Sequence, residues 1–253
     1  MRHRSKRERV AGIIGGLGPE ATVELMSRII HYTGAKKDQD HLHLIVDHNP
    51  KIPDRSAAIR RGGESPLPLL RAAARRLEKA GADFIVIPCN TAHFYLPRIR
   101  RSVRLPVVDL IAEAVRCAQA KRPAVRRVGL LATSGTVTAG VYRRACLEAG
   151  LELVTPPAAR QKLVVEAIYL VKSGRGTGRA AAILARAARF LATEQGAEVV
   201  IAGCTEIPLV LKQAHCPVPL VDSLDVLARR TVALATLGWQ CGRLISKGCH
   251  SRG

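Results

Sequence analysis

Short runs of apolar, β-branched residues alternate with longer alanine-rich stretches along most of the chain. The short runs lie between glycines or prolines, as buried strands do, and the longer ones carry apolar residues at helical spacing. The predicted strands cover Val10–Ile14, His43–Asp47, Phe84–Ile87, Val107–Val108, Val128–Leu131, Leu151–Val154, Val199–Ala202 and Leu220–Val221. The predicted helices cover Glu20–Tyr32, Pro66–Ala80, Ile111–Ala120, Gly140–Ala149, Gln161–Lys172, Gly178–Gln195 and Ser223–Thr236. This alternation predicts an α/β fold built on parallel sheets.

The chain also contains an internal duplication. Three segments of the first half align without gaps on three segments of the second, in the same order and at offsets of 113 to 117 residues: 81–91 on 196–206, 11–18 on 128–135, and 106–109 on 219–222. In the longest pair, GADFIVIPCNT aligns with GAEVVIAGCTE, so that Cys89 falls on Cys204. The spacing is too long for a solenoid repeat and indicates two related α/β halves.

The duplication predicts two pseudo-symmetric parallel-sheet subdomains with a cleft between them. We expect the first to comprise residues 10–112 and 222–240 and to carry Cys89, and the second to comprise residues 113–221 and to carry Cys204. Each cysteine directly follows an equivalent predicted strand, and ligands bind at the carboxyl ends of parallel strands. The two thiols are therefore expected on opposite walls of one cleft.

Two thiols on opposite sides of a carbon atom suit the inversion of an amino acid at Cα. One removes the α-proton, and the other returns a proton to the opposite face. An unperturbed thiol has a pKa of about 8.5, so a thiolate and a thiol can coexist near neutrality. The alternative is that both are ordinary buried cysteines at strand ends. Their equivalent positions in a duplication, each followed by polar residues, favour the active pair.

Six segments of the chain resemble the aspartate/glutamate racemase superfamily, most closely its aspartate racemase branch. They lie between Val10 and about Ala235 and comprise GIIGGLGPEAT (12–22), HNPKIPDRSAAI (48–59), GADFIVIPCNTAH (81–93), GLLATSGTV (129–137), the run 161–174 and AGCTEIPLVL (202–211). The resemblance implies two α/β subdomains around a central cleft, a homodimer and no cofactor. It implies an enzyme that interconverts L- and D-aspartate.

The resemblance also assigns roles to individual residues. Cys89 and Cys204 match the catalytic pair. Arg55 and Lys172 match the positions that hold the substrate's carboxylates. Further substrate contacts are expected at Leu17, Asn90, Thr91, Ala92, Thr133 and Thr205, with Glu206 as an accessory residue. Leu17 departs from the methionine that relatives often have, which alters the pocket's shape but removes no proton-transfer group.

Arg55 carries the prediction of an acidic substrate. A guanidinium holds a carboxylate bidentately, and nearby prolines restrict the backbone of the Arg55 loop. Related enzymes of broad specificity lack this arginine, so we expect aspartate, with glutamate as a weaker substrate. The alternatives are a surface salt bridge from Arg55 to Asp54 or Glu64, and a helix C-terminal role for Lys172.

The composition excludes several other classes of protein. The net charge is +20, but aromatic residues are only 3% and the arginines lie mainly on predicted helix faces, so we expect no nucleic-acid partner. Only the first ten residues form a dense basic run. No stretch approaches the roughly 20 apolar residues of a membrane span. Seven cysteines without a CxxC pair predict free thiols and a cytoplasmic location.

Two kinds of alternative function remain open. Residues 16–21 fit the dinucleotide-binding pattern G-x-G-x-x-A with Asp38 about 20 residues further on, but Pro19 removes an N–H group at the helix start. Within the superfamily, a broad-specificity racemase, a decarboxylase or a cis–trans isomerase could use the same cysteines. No metal is expected, since His41, His43, His48 and His93 lack the spacing of a zinc site.

Overall fold

A computed structural model describes residues 8–121 and 125–237 of the chain. Its strands are β1 (Ala11–Gly15), β2 (Leu44–His48), β3 (Phe84–Val86), β4 (Arg127–Leu131), β5 (Glu152–Val154), β6 (Val199–Ala202) and β7 (Leu220–Asp222). Its α-helices are α1 (Pro19–Thr33), α2 (Arg55–Arg61), α3 (Leu67–Lys79), α4 (Leu96–Arg100), α5 (Leu110–Ala120), α6 (Ser134–Ala139), α7 (Val141–Glu148), α8 (Ala158–Lys172), α9 (Thr177–Thr193), α10 (Ile207–Val210) and α11 (Ser223–Leu237). Short 3₁₀ helices cover Asp38–Asp40, Thr91–Tyr95 and Gln213–His215.

The strands form two separate parallel sheets. The first has the order β2-β1-β3, and the second has the order β5-β4-β6-β7. Each sheet is covered by helices whose apolar faces form the hydrophobic cores. The prediction of an α/β fold with two parallel-sheet subdomains is confirmed.

The duplication extends to the register of the strands. In the first sheet Gly12 of β1 lies opposite Ile85 of β3. Their repeat counterparts, Gly129 of β4 and Val200 of β6, lie opposite each other in the second sheet. A register shift of one residue would turn every side chain of a strand to the other face of the sheet. Because the register is the same, equivalent side chains lie on equivalent faces in the two halves.

The two central glycines make the same close contact in both halves. A Cβ atom on Gly12 would lie 3.0 Å from the Cβ of Ala82. A Cβ atom on Gly129 would lie 3.1 Å from the Cβ of Ala197. In both places the turn that leads from the helix into the next strand packs directly on the sheet, so the two halves have the same strand entry.

The pattern did not predict the shortest helices. Helices α2, α4, α6 and α10 contain four to seven residues, too few for the helical period to show in the sequence. Helix α2 begins because the Asp54 side chain accepts a hydrogen bond from the N–H of Ala57 at 2.6 Å. The strand predicted at 107–108 is reduced to a single bridge from Val107 to Ile85.

The C-terminal helix returns to the first half of the chain. Helix α11 packs against α1 and α5, and Arg28 of α1 forms an ion pair with Asp222 at the end of β7. This packing is compatible with the predicted subdomain boundaries, which remain a prediction, and residues 238–240 lie outside the described part of the chain. None of the described helices has the length and apolar character of a membrane span.

The cysteines differ in their bonding. Cys89, Cys146, Cys204 and Cys216 are buried free thiols. Cys117 is disulfide-bonded, so the expectation of free thiols throughout is wrong at this position. Both cysteines of the duplicated pair remain available for thiol chemistry.

Candidate active site

One cavity contains both cysteines of the duplicated pair. It is narrow, with a volume of about 20 Å³. It is lined by Leu17, Asp54, Arg55, Ser56, Cys89, Asn90, Thr91, Thr133, Tyr169, Lys172, Cys204, Thr205 and Glu206. The exposed fraction of the whole residue is 7% for Cys89 and 6% for Cys204, so both cysteines are buried.

Cys89 follows β3 in a turn that a buried histidine holds in place. The backbone N–H of Leu110 donates to His93 Nε2 at 3.1 Å, so His93 Nδ1 carries the proton and donates to the Cys89 carbonyl at 2.8 Å. Burial lowers the pKa of His93. The neutral imidazole therefore joins the cysteine backbone to the start of α5.

Cys204 follows β6 and lies against a carboxylate. Its Sγ donates a hydrogen bond to Glu206 Oε2 at 2.9 Å, and Thr205 Oγ1 donates to the same oxygen at 3.3 Å. Burial and the negative charge of Glu206 raise the pKa of Cys204 well above its ordinary value. A hydrogen-bonded thiol and a buried carboxylate therefore lie side by side at the end of β6.

Lys172 links the end of α8 to this carboxylate. Its Nζ lies 3.3 Å from Glu206 Oε1 and forms an ion pair with it. None of the described residues donates a hydrogen bond to this oxygen. Burial alone would lower the pKa of Lys172, but Glu206, Cys204 and Cys89 raise it above its ordinary value. Lys172 is therefore a cation, and Glu206 balances its charge.

Arg55 occupies a cradle of backbone carbonyl groups. Nη1 donates to the carbonyls of Ile52 and Pro53 at 3.1 and 3.0 Å, and Nη2 donates to the carbonyl of Leu17 at 2.9 Å. The buried Nε has no hydrogen-bond partner, and no carboxylate in the described residues forms an ion pair with Arg55. The guanidinium is fixed in position while its charge stays available to a ligand.

Hydroxyl groups from the two halves meet beside the cysteines. Thr91 Oγ1 lies 3.1 Å from Thr133 Oγ1 and 2.8 Å from Thr136 Oγ1. Ser56 Oγ contacts Thr133 Oγ1 at 3.4 Å, and a Cβ atom on Gly135 would lie only 2.6 Å from the Cα of Ser56. The glycine therefore lets α2 approach the start of α6 closely.

Asn90 is also held from both halves. Its Oδ1 accepts a hydrogen bond from the hydroxyl of Tyr142 at 2.6 Å, and its Nδ2 donates to Ser223 Oγ at 3.1 Å. Both amide atoms of the side chain are thus occupied. Asn90 lines the cavity as a rigid polar surface.

The profile of the Asp/Glu/hydantoin racemase family matches residues 14–231. The chain belongs to this family. The match includes every strand except the first residues of β1, and it contains both duplicated halves. The chain is therefore an enzyme of the racemase type, an isomerase, and the resemblance seen in its motifs is confirmed.

Relatives and solved structures of this racemase family cover almost the whole chain. The broad specificity amino-acid racemase RacX of Bacillus subtilis (strain 168) is 27% identical over 228 residues, which are 88% of this chain and 96% of RacX. The aspartate racemase of Picrophilus torridus has a TM-score of 0.78 at 28% identity and covers 90% of this chain and 94% of its own. An aspartate racemase homologue from Pyrococcus horikoshii OT3 has a TM-score of 0.73 at 30% identity and covers 90% of this chain and 99% of its own.

Most residues expected from the racemase resemblance lie around the cavity. The ones that line it are Leu17, Arg55, Cys89, Asn90, Thr91, Thr133, Lys172, Cys204, Thr205 and Glu206. Ala92 is fully buried in the core of the first half. Asp54, Ser56 and Tyr169 line the cavity without having been predicted. The first two flank Arg55 in its motif, and Tyr169 precedes Lys172 by one helical turn, so their positions in the sequence carried a signal.

Internal packing explains the glycines of the G-x-G-x-x-A pattern. A Cβ atom on Gly18 would overlap Glu206 Oε1, and a Cβ atom on Gly16, which has a φ of +84°, would lie 2.5 Å from the backbone of Asn49. Asp38 begins an exposed 3₁₀ helix and does not follow a strand. Close packing inside the chain therefore accounts for both glycines of a motif that otherwise indicates a dinucleotide. The described residues also contain no cluster of three metal-ligating side chains.

Proposed function

We propose that this chain is a cofactor-independent racemase that interconverts L- and D-aspartate, with glutamate as a weaker substrate. The observation that carries the proposal is the position of two thiols, from equivalent points of a duplicated fold, in one cavity with two cations. The thiols are those of Cys89 and Cys204, and the cations are Arg55 and Lys172. The aspartate racemase of Picrophilus torridus, which matches most of the chain, supports the choice of substrate.

In the proposed reaction the substrate's Cα lies between the two sulfurs. The thiolate on one side takes the α-proton, and the electron pair of the C–H bond stays on Cα. The thiol on the other side then gives its proton to the opposite face, which forms a new C–H bond and leaves a thiolate. Each turnover exchanges the protonation states of Cys89 and Cys204. Proton exchange of the free thiols with water, or conversion of the opposite enantiomer, restores them. General acid–base steps of this kind contribute about 10²–10⁴-fold each to a rate.

The two cations fit a substrate with two carboxylates. Arg55 has no carboxylate partner of its own within the described residues, and its buried Nε–H points to an unmet hydrogen bond. Lys172 shares its charge with Glu206 at 3.3 Å, so a substrate carboxylate would compete for it or complete its coordination. We propose that Arg55 binds the distal carboxylate and that Lys172 contributes to carboxylate binding with the Asn90–Thr91 turn and with the hydroxyls of Thr133 and Thr205.

A broad-specificity racemase is the second candidate. RacX of Bacillus subtilis carries that name and matches 88% of this chain. The two candidates differ in the role of Arg55, because a guanidinium fixed in the cavity favours an acidic side chain over a neutral one. By the same resemblance we propose a homodimer, which light scattering of the purified protein tests.

A chiral assay in deuterated water tests the proposed function. The purified chain, dialysed against a chelator and given no cofactor, is incubated with each common L-amino acid. We expect aspartate to become racemic and the enantiomer formed to carry deuterium at Cα, with glutamate slower and neutral residues slower still. The proposal fails if no amino acid is inverted, or if activity returns only when pyridoxal phosphate or a metal is added. Equal rates for acidic and neutral substrates support the broad-specificity alternative.

A further inference from the structure

The duplication is broken next to the two thiols. In the gapless alignment of 81–91 on 196–206, the residue two positions after the cysteine is Thr91 in the first half and Glu206 in the second. Thr91 donates or accepts hydrogen bonds with two other hydroxyls, at 3.1 and 2.8 Å. Glu206 instead accepts a hydrogen bond from Cys204 itself. A neutral group and an acidic group therefore occupy equivalent positions.

The acidic group acts on one thiol only. Glu206 has an exposed fraction of 2%, so water screens its charge poorly, and its Oε2 lies 2.9 Å from Cys204 Sγ. No carboxylate of the described residues accepts a hydrogen bond from Cys89. Asp54 lines the same cavity, but it is exposed and its Oδ1 is used to cap α2. The two cysteine residues thus have similar exposed fractions and different electrostatic surroundings.

We propose that Glu206 is a positioning residue that holds the proton on Cys204 in the resting enzyme, so that Cys89 acts first as the base. This inference rests on the proposed racemase function for its meaning in catalysis. A thiolate on Cys204 would lie against the buried carboxylate, whereas the thiol donates a hydrogen bond to it. The substrate enantiomer whose α-hydrogen faces Cys89 is then the one that the resting form accepts.

Other titratable groups lie around Cys204 and Glu206. They are Lys172 of α8, Arg55 and Asp54 at the start of α2, Glu20 of α1, Tyr142 of α7 and Cys89. Lys172 is the cation whose charge lowers the pKa of Cys204, but it lies 3.3 Å from Glu206, which offsets its effect. Burial and the charge of Glu206 outweigh the charge of Lys172, so the pKa of Cys204 is raised.

The difference between the two thiols has to be measured from their alkylation rates and not from steady-state kinetics. Two enantiomers have equal free energy in water, so kcat/KM has to be equal in the two directions for every variant. Alkylation by iodoacetamide reports the thiolate fraction of each cysteine without any turnover. The two residues have similar exposed fractions, 7% and 6%, and the change in each thiol's own rate between the wild type and a variant separates ionisation from access.

The experiment maps alkylation of the substrate-free protein near neutral pH by peptide mass spectrometry. In the wild type we expect Cys89 to be labelled at least about tenfold faster than Cys204, the effect of one pKa unit. Glu206→Gln should raise the Cys204 rate and reduce this ratio about tenfold. Glu206→Asp, which keeps the charge, should keep Cys204 slow. Glu20→Gln removes an exposed carboxylate near the same cavity and should leave the ratio unchanged.

Two results would overturn the inference. One is equal or faster labelling of Cys204 in the wild type, which needs no variant to fold. The other is a folded Glu206→Gln protein, checked by circular dichroism, with the wild-type ratio. Because labelling requires no substrate, a chain with asymmetric thiols but no racemase activity would refute only the proposed function. A chain that racemises aspartate with equally reactive thiols would refute only the role of Glu206.

Discussion

The substitution Arg55→Gln tests how the cavity selects an acidic substrate. Two charge-assisted hydrogen bonds from the guanidinium to a carboxylate together contribute about 3–4 kcal/mol to binding. Since about 1.4 kcal/mol corresponds to a factor of ten, we expect kcat/KM for aspartate to fall about 10²–10³-fold. Alanine has no distal carboxylate, so its α-hydrogen exchange in deuterated water should change by less than about tenfold.

The same substitution also weakens the fold, and the assay has to separate the two effects. Arg55 donates to the carbonyls of Ile52, Pro53 and Leu17, and the loss of these bonds should lower the free energy of unfolding by about 2–4 kcal/mol. The selectivity ratio, aspartate over alanine, is measured on protein confirmed to be folded at the assay temperature. A loss of stability lowers both rates together and leaves the ratio unchanged.

Arg60→Gln is the matched control for this prediction. Arg60 is exposed on the same helix α2, does not line the cavity, and loses the same charge when substituted. We expect its selectivity ratio to equal that of the wild type. Two results would show that Arg55 does not bind the distal carboxylate. One is an equal loss of rate for aspartate and alanine in Arg55→Gln, and the other is the same change of the selectivity ratio in Arg60→Gln.

Two further predictions concern the residues that support the cavity. Gly18→Ala places a Cβ against Glu206 Oε1, so aspartate racemisation should fall at least about tenfold while the fold is retained. The control Gly178→Ala, where a Cβ meets nothing within 4 Å, should keep full activity. Burial lowers the pKa of His93 from its ordinary value of 6.5. The neutral imidazole therefore stabilises the fold fully above pH 6.5, and this stabilisation is lost as the pH falls through the lowered pKa. The loss of melting temperature on acidification should therefore be smaller in His93→Gln, and unchanged in the exposed His31→Gln. An active Gly18→Ala enzyme, or parallel pH profiles for His93→Gln and the wild type, would contradict these statements.

The sequence was sufficient to predict the sheets and the equivalence of the two cysteines. Buried parallel strands need continuous β-branched runs, and a duplicated sequence repeats the same requirements, as Gly12 and Gly129 show at the strand–helix contact. The strand ends could therefore be aligned from residue identities alone. Both cysteines follow strands β3 and β6 at the predicted point.

The hydrogen bonds around the cations could not be predicted in the same way. The carbonyl cradle of Arg55 forms from backbone groups, whose directions depend on turns and not on side-chain identity. Glu206 follows Cys204 by two residues, and only the fold of that turn decides whether its carboxylate faces the thiol or caps the next helix. Tyr169 was missed because the motif indicated Lys172, while the helix brings both to the same cavity.

The central claim is that both thiols of the cavity take part in inversion at Cα. The most direct measurement compares aspartate racemisation by Cys89→Ala, Cys204→Ala and the control Cys146→Ala. Cys146 is a buried free thiol outside the cavity, and burial raises its pKa to about 11. We predict that each of the first two variants loses at least about 10³-fold in kcat and that the control keeps the wild-type rate. A wild-type rate in either cavity variant, or an equal loss in the control, would contradict the account.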